Sequence, residues 1–211
     1  MRSAFDKLIS WTGLLLAAVL IVAGGLLTWA STFIGDQVHD QLTMQQITMP
    51  EGEALASLPK ADADALQEYA GSPLDTGPEA KAFSDHYILA HMNASTEELA
   101  GEPMPYAAVS AKARELGAAV AENPDATQAQ IDEAADWAAL KQTLLDGSTL
   151  RGLLLYGYAF ATIGTIAGIA AIVAFGAGAL LLLLVALGFW HARKAGQVAE
   201  RPAAARVPQT A

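Results

Sequence analysis

Four histidines, 22 carboxylates and no cysteine bound the chemistry open to this chain of 211 residues. Without Cys there is no thiolate metal site, no Cys nucleophile and no disulfide framework. Asp36, His39 and Asp40 are the best-placed polar set, because spacings of i, i+3 and i+4 put all three on one side of a helix. Such a trio could supply half of a divalent-cation or proton site, and the plainer reading is a solvated turn. These three are the metal candidates; no catalytic residue and no cofactor is expected. His86 and His91 lie five apart, about 140° around a helix, so they cannot share a metal as an i, i+4 pair would. Ser84-Asp85-His86 resembles a triad in print, yet helical neighbours fan apart by about 100° each and cannot relay a proton. Asp62-Ala63-Asp64 fails as a calcium loop, since Gln67 stands where glycine is due and Pro73 where the terminal glutamate is due. Asn93-Ala94-Ser95 matches a glycosylation sequon, a weak three-residue signal. Phosphate-binding glycine loops, zinc-protease helices and nucleophile elbows are absent from the sequence.

The elements that must hold these residues follow from where charge and apolar character sit. The chain is 53% hydrophobic yet carries a net charge of -10. Residues 8–35 and 152–190 contain no Asp, Glu, Lys or Arg, and each run exceeds the ~20 apolar residues that cross a bilayer. Trp11 and Trp29 bracket the first, where amphipathic rings favour the headgroup level. The second run is too long for one span. Its apolar half, 166–190, suits the bilayer, and 152–165, with Tyr156, Tyr158 and Phe160, suits a protruding membrane-proximal helix. A re-entrant or split second helix is the alternative. The first span exceeds a signal-peptide core of ~7–15 residues, which favours an uncleaved anchor over a cleaved leader.

The N-terminal flank and the tail carry excess Lys and Arg, whereas residues 36–151 carry nearly all of the acid. Basic flanks stay inside, so both termini are expected in the cytoplasm of a cell with this protein in its plasma membrane. The predicted fold class is an all-α membrane protein, two transmembrane helices flanking an extracytoplasmic helical bundle. Its parts are a cytoplasmic N-terminus (1–10), a first span (11–34), an acidic domain (35–151), a membrane-proximal helix (152–165), a second span (166–190) and a disordered tail (191–211). Small residues let helices approach closely in lipid. Gly13 with Ala17, Gly24 with Thr28, Gly164 with Gly168, and Ala170 with Ala174 and Gly178 are spaced to do so. These faces either pack the two spans as a hairpin or join them to a partner.

Within the insert, Tyr106, Val109, Ala113, Leu116 and Val120 form one helical stripe, opened by Pro105 and closed by Asn123-Pro124. A helix over about 79–92 starts at Gly77-Pro78, with His91 as a packing histidine beside Phe83 and Tyr87. A short helix is expected near 61–69, and 36–46 could extend the first span outward. A further helix after Asp125 carries two stripes, one of Ile131, Ala134, Ala135, Ala138 and Leu145, the other of Trp137, Leu140 and Leu144. Asp146-Gly147-Ser148 reads as a break or soft point. The connectors are 48–59, 71–78 and 93–105.

The opening Met1-Arg2-Ser3-Ala4-Phe5-Asp6-Lys7-Leu8-Ile9-Ser10-Trp11-Thr12-Gly13, the stretch from Gly77-Pro78-Glu79 to His86-Tyr87-Ile88 and the stretch Thr149-Leu150-Arg151-Gly152-Leu153-Leu154-Leu155 resemble a family of actinobacterial two-pass membrane proteins. The 45 Ala and few Lys suit such a high-GC bacterium. Members often carry the label aromatic ring-opening dioxygenase of the LigA type. That label implies a non-haem iron held by two His and a carboxylate, and no such spacing occurs here. The resemblance therefore implies topology and lineage and carries no established activity.

A deficit of Lys and Arg argues against nucleic acid as a partner. The expected partners are the lipid bilayer and a protein, met through the acidic domain or the small-residue faces. The expected function is a non-catalytic accessory or scaffold subunit whose outer domain binds a partner or ligand. An extracytoplasmic sensor that signals through another protein is the alternative, because the tail after 190 is short, and the dioxygenase is the remote one. Uncharged spans count against an ion-coupled pump.

Overall fold

The structure, a computed structural model, describes residues 2–199. It is all-α. Among the described residues seven α-helices run as α1 (Arg2–Met44), α2 (Gly52–Ala56), α3 (Lys60–Leu66), α4 (Gly77–Ala82), α5 (Leu89–Ala100), α6 (Tyr106–Glu122) and α7 (Gln128–Ala199). A π-helical turn, Phe83–Ile88, fuses α4 to α5, and a 3-10 turn, Gln67–Tyr69, closes α3. Among the described residues there is no strand, only an isolated bridge between Thr48 and Pro73, where the Met49 and Leu74 N–H groups donate to Ser72 and Ile47 carbonyls.

α1 and α7 are long and apolar enough to cross a membrane, and only 11% and 22% of their most apolar windows are buried within the protein. A core helix of a water-soluble protein would be buried instead. α1 extends to Met44, so 36–44 continues the first helix. α7 passes through Asp146-Gly147-Ser148 without the break that was one of the two expected readings, and through 152–165 without a boundary. Gly147 fits there because a Cβ would stand 2.7 Å from the Met92 sulfur: the glycine is a packing seat within a helix. The helix also covers 191–199, so the expected disorder does not hold for those residues; 200–211 lie outside the described residues.

The chain divides into two compact units, and α1 and α7 contribute to both. One comprises the residues up to Phe33 with those from Gly164 onward. Here the small residues meet in an antiparallel seam. A Cβ on Gly13 would touch Val185, one on Gly24 would touch Phe175, and one on Gly178 would stand 3.2 Å from Ile21 and 3.5 Å from the Ala17 carbonyl. Ser31 donates to the Gly164 carbonyl at 2.7 Å, beside Gly168. Among the described residues these contacts run between α1 and α7 of the one chain. The seam repeats every seven residues: Ser10, Ala17, Gly24 and Ser31 on α1 face Gly164, Ala171, Gly178, Val185 and Ala192 on α7. Seven-residue repeats keep two helices in continuous contact through a left-handed twist. Strict i, i+4 steps drift off such a seam, which is why Thr28 is exposed, bonded to Gly24 O of its own helix, and Ala170 is only half-buried.

The second unit, Ile34–Ile163, has two cores. Leu42, Met49, Leu55, Leu66, Leu74, Ala80 and Leu154 form one, and Val109, Ala113, Trp137, Leu140 and Leu144 the other. The Trp137 stripe is therefore the buried one, while Ile131 and Leu145 remain exposed. α5 runs on to Ala100, well past the expected end near 92. Buried Thr96 accounts for its closure, bonding Asn93 O and accepting the Met104 N–H from the following loop.

Candidate functional site

Two features of the helical domain Ile34–Ile163 carry chemistry: a polar knot around the π-turn and an apolar stripe on α7. The knot begins at Thr76, whose side chain caps α4 while Glu79 returns to the Thr76 N–H, a reciprocal capping box. Gly77 is required at the next position because any Cβ would collide with Ala161. Glu79 also accepts from the Asp75 N–H at 3.0 Å and the Ser72 hydroxyl at 3.1 Å. Burial opposes ionisation of Glu79, and these three donors together with the Thr76 hydroxyl at 2.8 Å outweigh it, holding its carboxyl below the usual carboxylate range.

One turn on, Ser84, Asp85 and His86 occupy the π-turn, a distortion that is frequent at functional sites. Their side chains go to three different partners. Ser84 is fully buried with its hydroxyl toward the Arg151 carbonyl. Asp85 pairs with Lys81 and, at 3.1 Å, with Arg151. His86 Nδ1 is 2.9 Å from Asp62, joining the π-turn to α3. Arg151 Nε also donates to the Ser84 carbonyl at 3.0 Å, so one guanidinium ties α7 to the turn twice. Burial raises the Asp85 pKa, and the hydrogen bonds from Lys81 and Arg151 overcome it and leave the carboxyl below its ordinary value. Every buried polar side-chain atom among the described residues has a partner, and the knot reads as a structural clasp.

The metal candidates do not converge. Asp36 and Asp40 are exposed, and His39 turns to Asp75, 3.3 Å from its carbonyl. His91 Nδ1 lies 2.8 Å from the Tyr87 carbonyl one turn earlier in the same helical run, and its ring packs against the Tyr87 ring. No group of three or more His, Asp or Glu among the described residues could hold a metal ion. The two-His, one-carboxylate iron centre implied by the dioxygenase label therefore finds no fit in these side chains.

The apolar stripe consists of Leu150, Leu153, Tyr156, Phe160 and Ile163, which are 52–67% exposed. Leu153, Tyr156, Phe160 and Ile163, spaced i, i+3, i+7 and i+10, lie along one side of α7 for roughly 15 Å, and Leu150 is exposed beyond the end of that side. An adjoining side of the same segment is committed to the domain: Leu154 is buried in the first core, Gly157 approaches Leu42, and Tyr158 backbone lies against Gly77. The residues read as a protruding helix here, and the segment is helical, but its packed side and its open side are not distinguished by the sequence alone. The seven-residue repeat of Ser10, Ala17, Gly24 and Ser31 was also legible, and was missed by searching only i, i+4 pairs. Comparison of the chain with protein-family models, with curated proteins and with solved structures found no match.

Proposed function

We propose that this chain is an integral protein of the plasma membrane, in the actinobacterial setting its resemblance implies. α1 and α7 cross the bilayer, both termini are cytoplasmic, and the acidic helical domain stands outside. Its role is that of a non-catalytic accessory or scaffold subunit that holds a second envelope protein. The observation that carries this reading is the exposed α7 stripe from Leu153 to Ile163, an apolar face on a strongly acidic domain. Contiguous apolar surface of this kind is costly to leave in water and marks interaction sites. The lipid-facing surfaces of α1 and α7, rich in exposed Leu, Ile, Phe and Trp, support the membrane assignment, and the basic flanks support the orientation.

Gentle solubilisation of the tagged protein, followed by mass spectrometry, tests the role. A stoichiometric partner is expected with the native chain and is lost from a Tyr156→Glu/Phe160→Glu variant that stays helical. An identical set of copurifying proteins with both chains would refute it. A sensor is the second reading, favoured by α7 running unbroken from Gln128 to Ala199. A small ligand that raises the melting temperature of the chain, with no stoichiometric partner, would select it.

A further inference from the structure

We infer that the end of the α1–α7 hairpin nearest the termini binds an anionic glycerophospholipid, with one acyl chain in a groove between the helices and the phosphate between Lys7 and Lys194. The inference rests on the membrane reading above and on nothing about the protein partner. The groove encloses about 420 Å³ and is lined by Ile9, Ser10, Leu184, Leu187, Gly188 and His191, among others. Its size lies within the ~300–1,000 Å³ usual for ligand clefts. The wall is mostly hydrocarbon, which suits an acyl chain and no water-soluble anion.

The same geometry makes the groove and its charged mouth. Ser10 and Gly188 face each other so closely that a Cβ on Gly188 would fall 2.5 Å from the Ser10 hydroxyl, leaving space beside the seam that larger neighbours only border. Lys7 lies one turn before Ser10 and Lys194 one turn after His191, so both continue the faces that line the groove. The helices are antiparallel, which brings both ammonium groups to the same end. Lys194 Nζ stands over the Trp190 ring, 4.2 Å from its centroid and beside the groove wall, and Trp11 meets Phe189 edge-on at 5.9 Å. His191 on the wall adds a donor. Basic pockets between membrane helices on the cytoplasmic side are a recognised seat for anionic headgroups.

The test is lipid retention by the full-length chain, read by native mass spectrometry after reconstitution in vesicles of phosphatidylcholine with or without phosphatidylglycerol. Phosphatidylglycerol is expected to remain bound in preference to phosphatidylcholine. Lys7→Gln and Lys194→Gln should each lower that preference about fivefold. Leu184→Trp, filling the groove from an exposed position, should reduce retention of both lipids while circular dichroism stays unchanged. Inorganic phosphate should compete only weakly. Equal retention of both lipids by the native chain, or lysine variants that keep the native preference, would overturn the site. A chain that fails to resist alkaline extraction from the vesicles would overturn the membrane reading and the lipid site with it.

Discussion

Ser31 and Gly168 offer a direct measurement of the hairpin, because the chain has no native cysteine to interfere. A Cβ on Gly168 would stand 3.7 Å from the Ser31 Cβ and 2.9 Å from its hydroxyl oxygen. Disulfides need Cβ atoms about 3.5–4.5 Å apart, so Ser31→Cys with Gly168→Cys should close under mild oxidation. The substitution gives up the Ser31 hydrogen bond to Gly164 O, worth about 1 kcal/mol, which leaves the rest of the seam intact. Thr32→Cys with Gly168→Cys is the control: Thr32 is exposed, about 100° around α1 from Ser31, and should not close. Adding Gly178→Leu to the productive pair should lower the yield. At that point a Cβ already touches Ile21 and the Ala17 carbonyl, and three more carbons overpack the seam by about 1–3 kcal/mol. The readout is the mobility of the unreduced monomer on a denaturing gel after oxidation in membranes. Disulfide-linked dimers with no internal closure would show that these faces join separate copies, and equal closure by the Thr32 control would show that α1 has no fixed register. Either result refutes the seam.

Removing the Arg151 guanidinium should loosen the π-turn. Arg151→Ala loses a charge-assisted bond to Asp85 and a bond to the Ser84 carbonyl, while Asp85 keeps Lys81, for a loss of about 2 kcal/mol. Faster hydrogen exchange confined to 83–90 is the expected signature, and unchanged exchange would count against the clasp. Acid should weaken the same domain. Glu79 and Asp85 have folded-state pKa values below the ordinary carboxylate value, so their stabilisation is complete above the unfolded pKa near ~4 and is lost as pH falls through the folded values. A thermal midpoint that drops from about pH 5 downward is expected, with a shallower drop in Glu79→Gln; identical acid profiles for the two chains would refute the assignment to Glu79.

Much of this architecture was legible in the residues. Uncharged runs announce α1 and α7, Gly77-Pro78 announces the start of α4, and Pro105 with Asn123 brackets α6, because each depends on local spacing and backbone chemistry alone. The broken connection at Asp146-Gly147-Ser148 misled for the same reason: glycine signals a turn locally, and only the Met92 side chain on the other side of the contact explains why the helix continues. Asp62 with His86, and Arg151 with Ser84 and Asp85, join positions far apart in the chain, and no periodicity encodes which helix faces meet. Two apolar helices and an acidic helical insert follow from the order of residues alone, since hydropathy and capping are properties of neighbouring residues. The use of the small residues in a seven-residue seam between α1 and α7, and the open face along Leu153 to Ile163, emerge where helices pack, because burial belongs to a pair of surfaces and a single helix does not carry its partner's address.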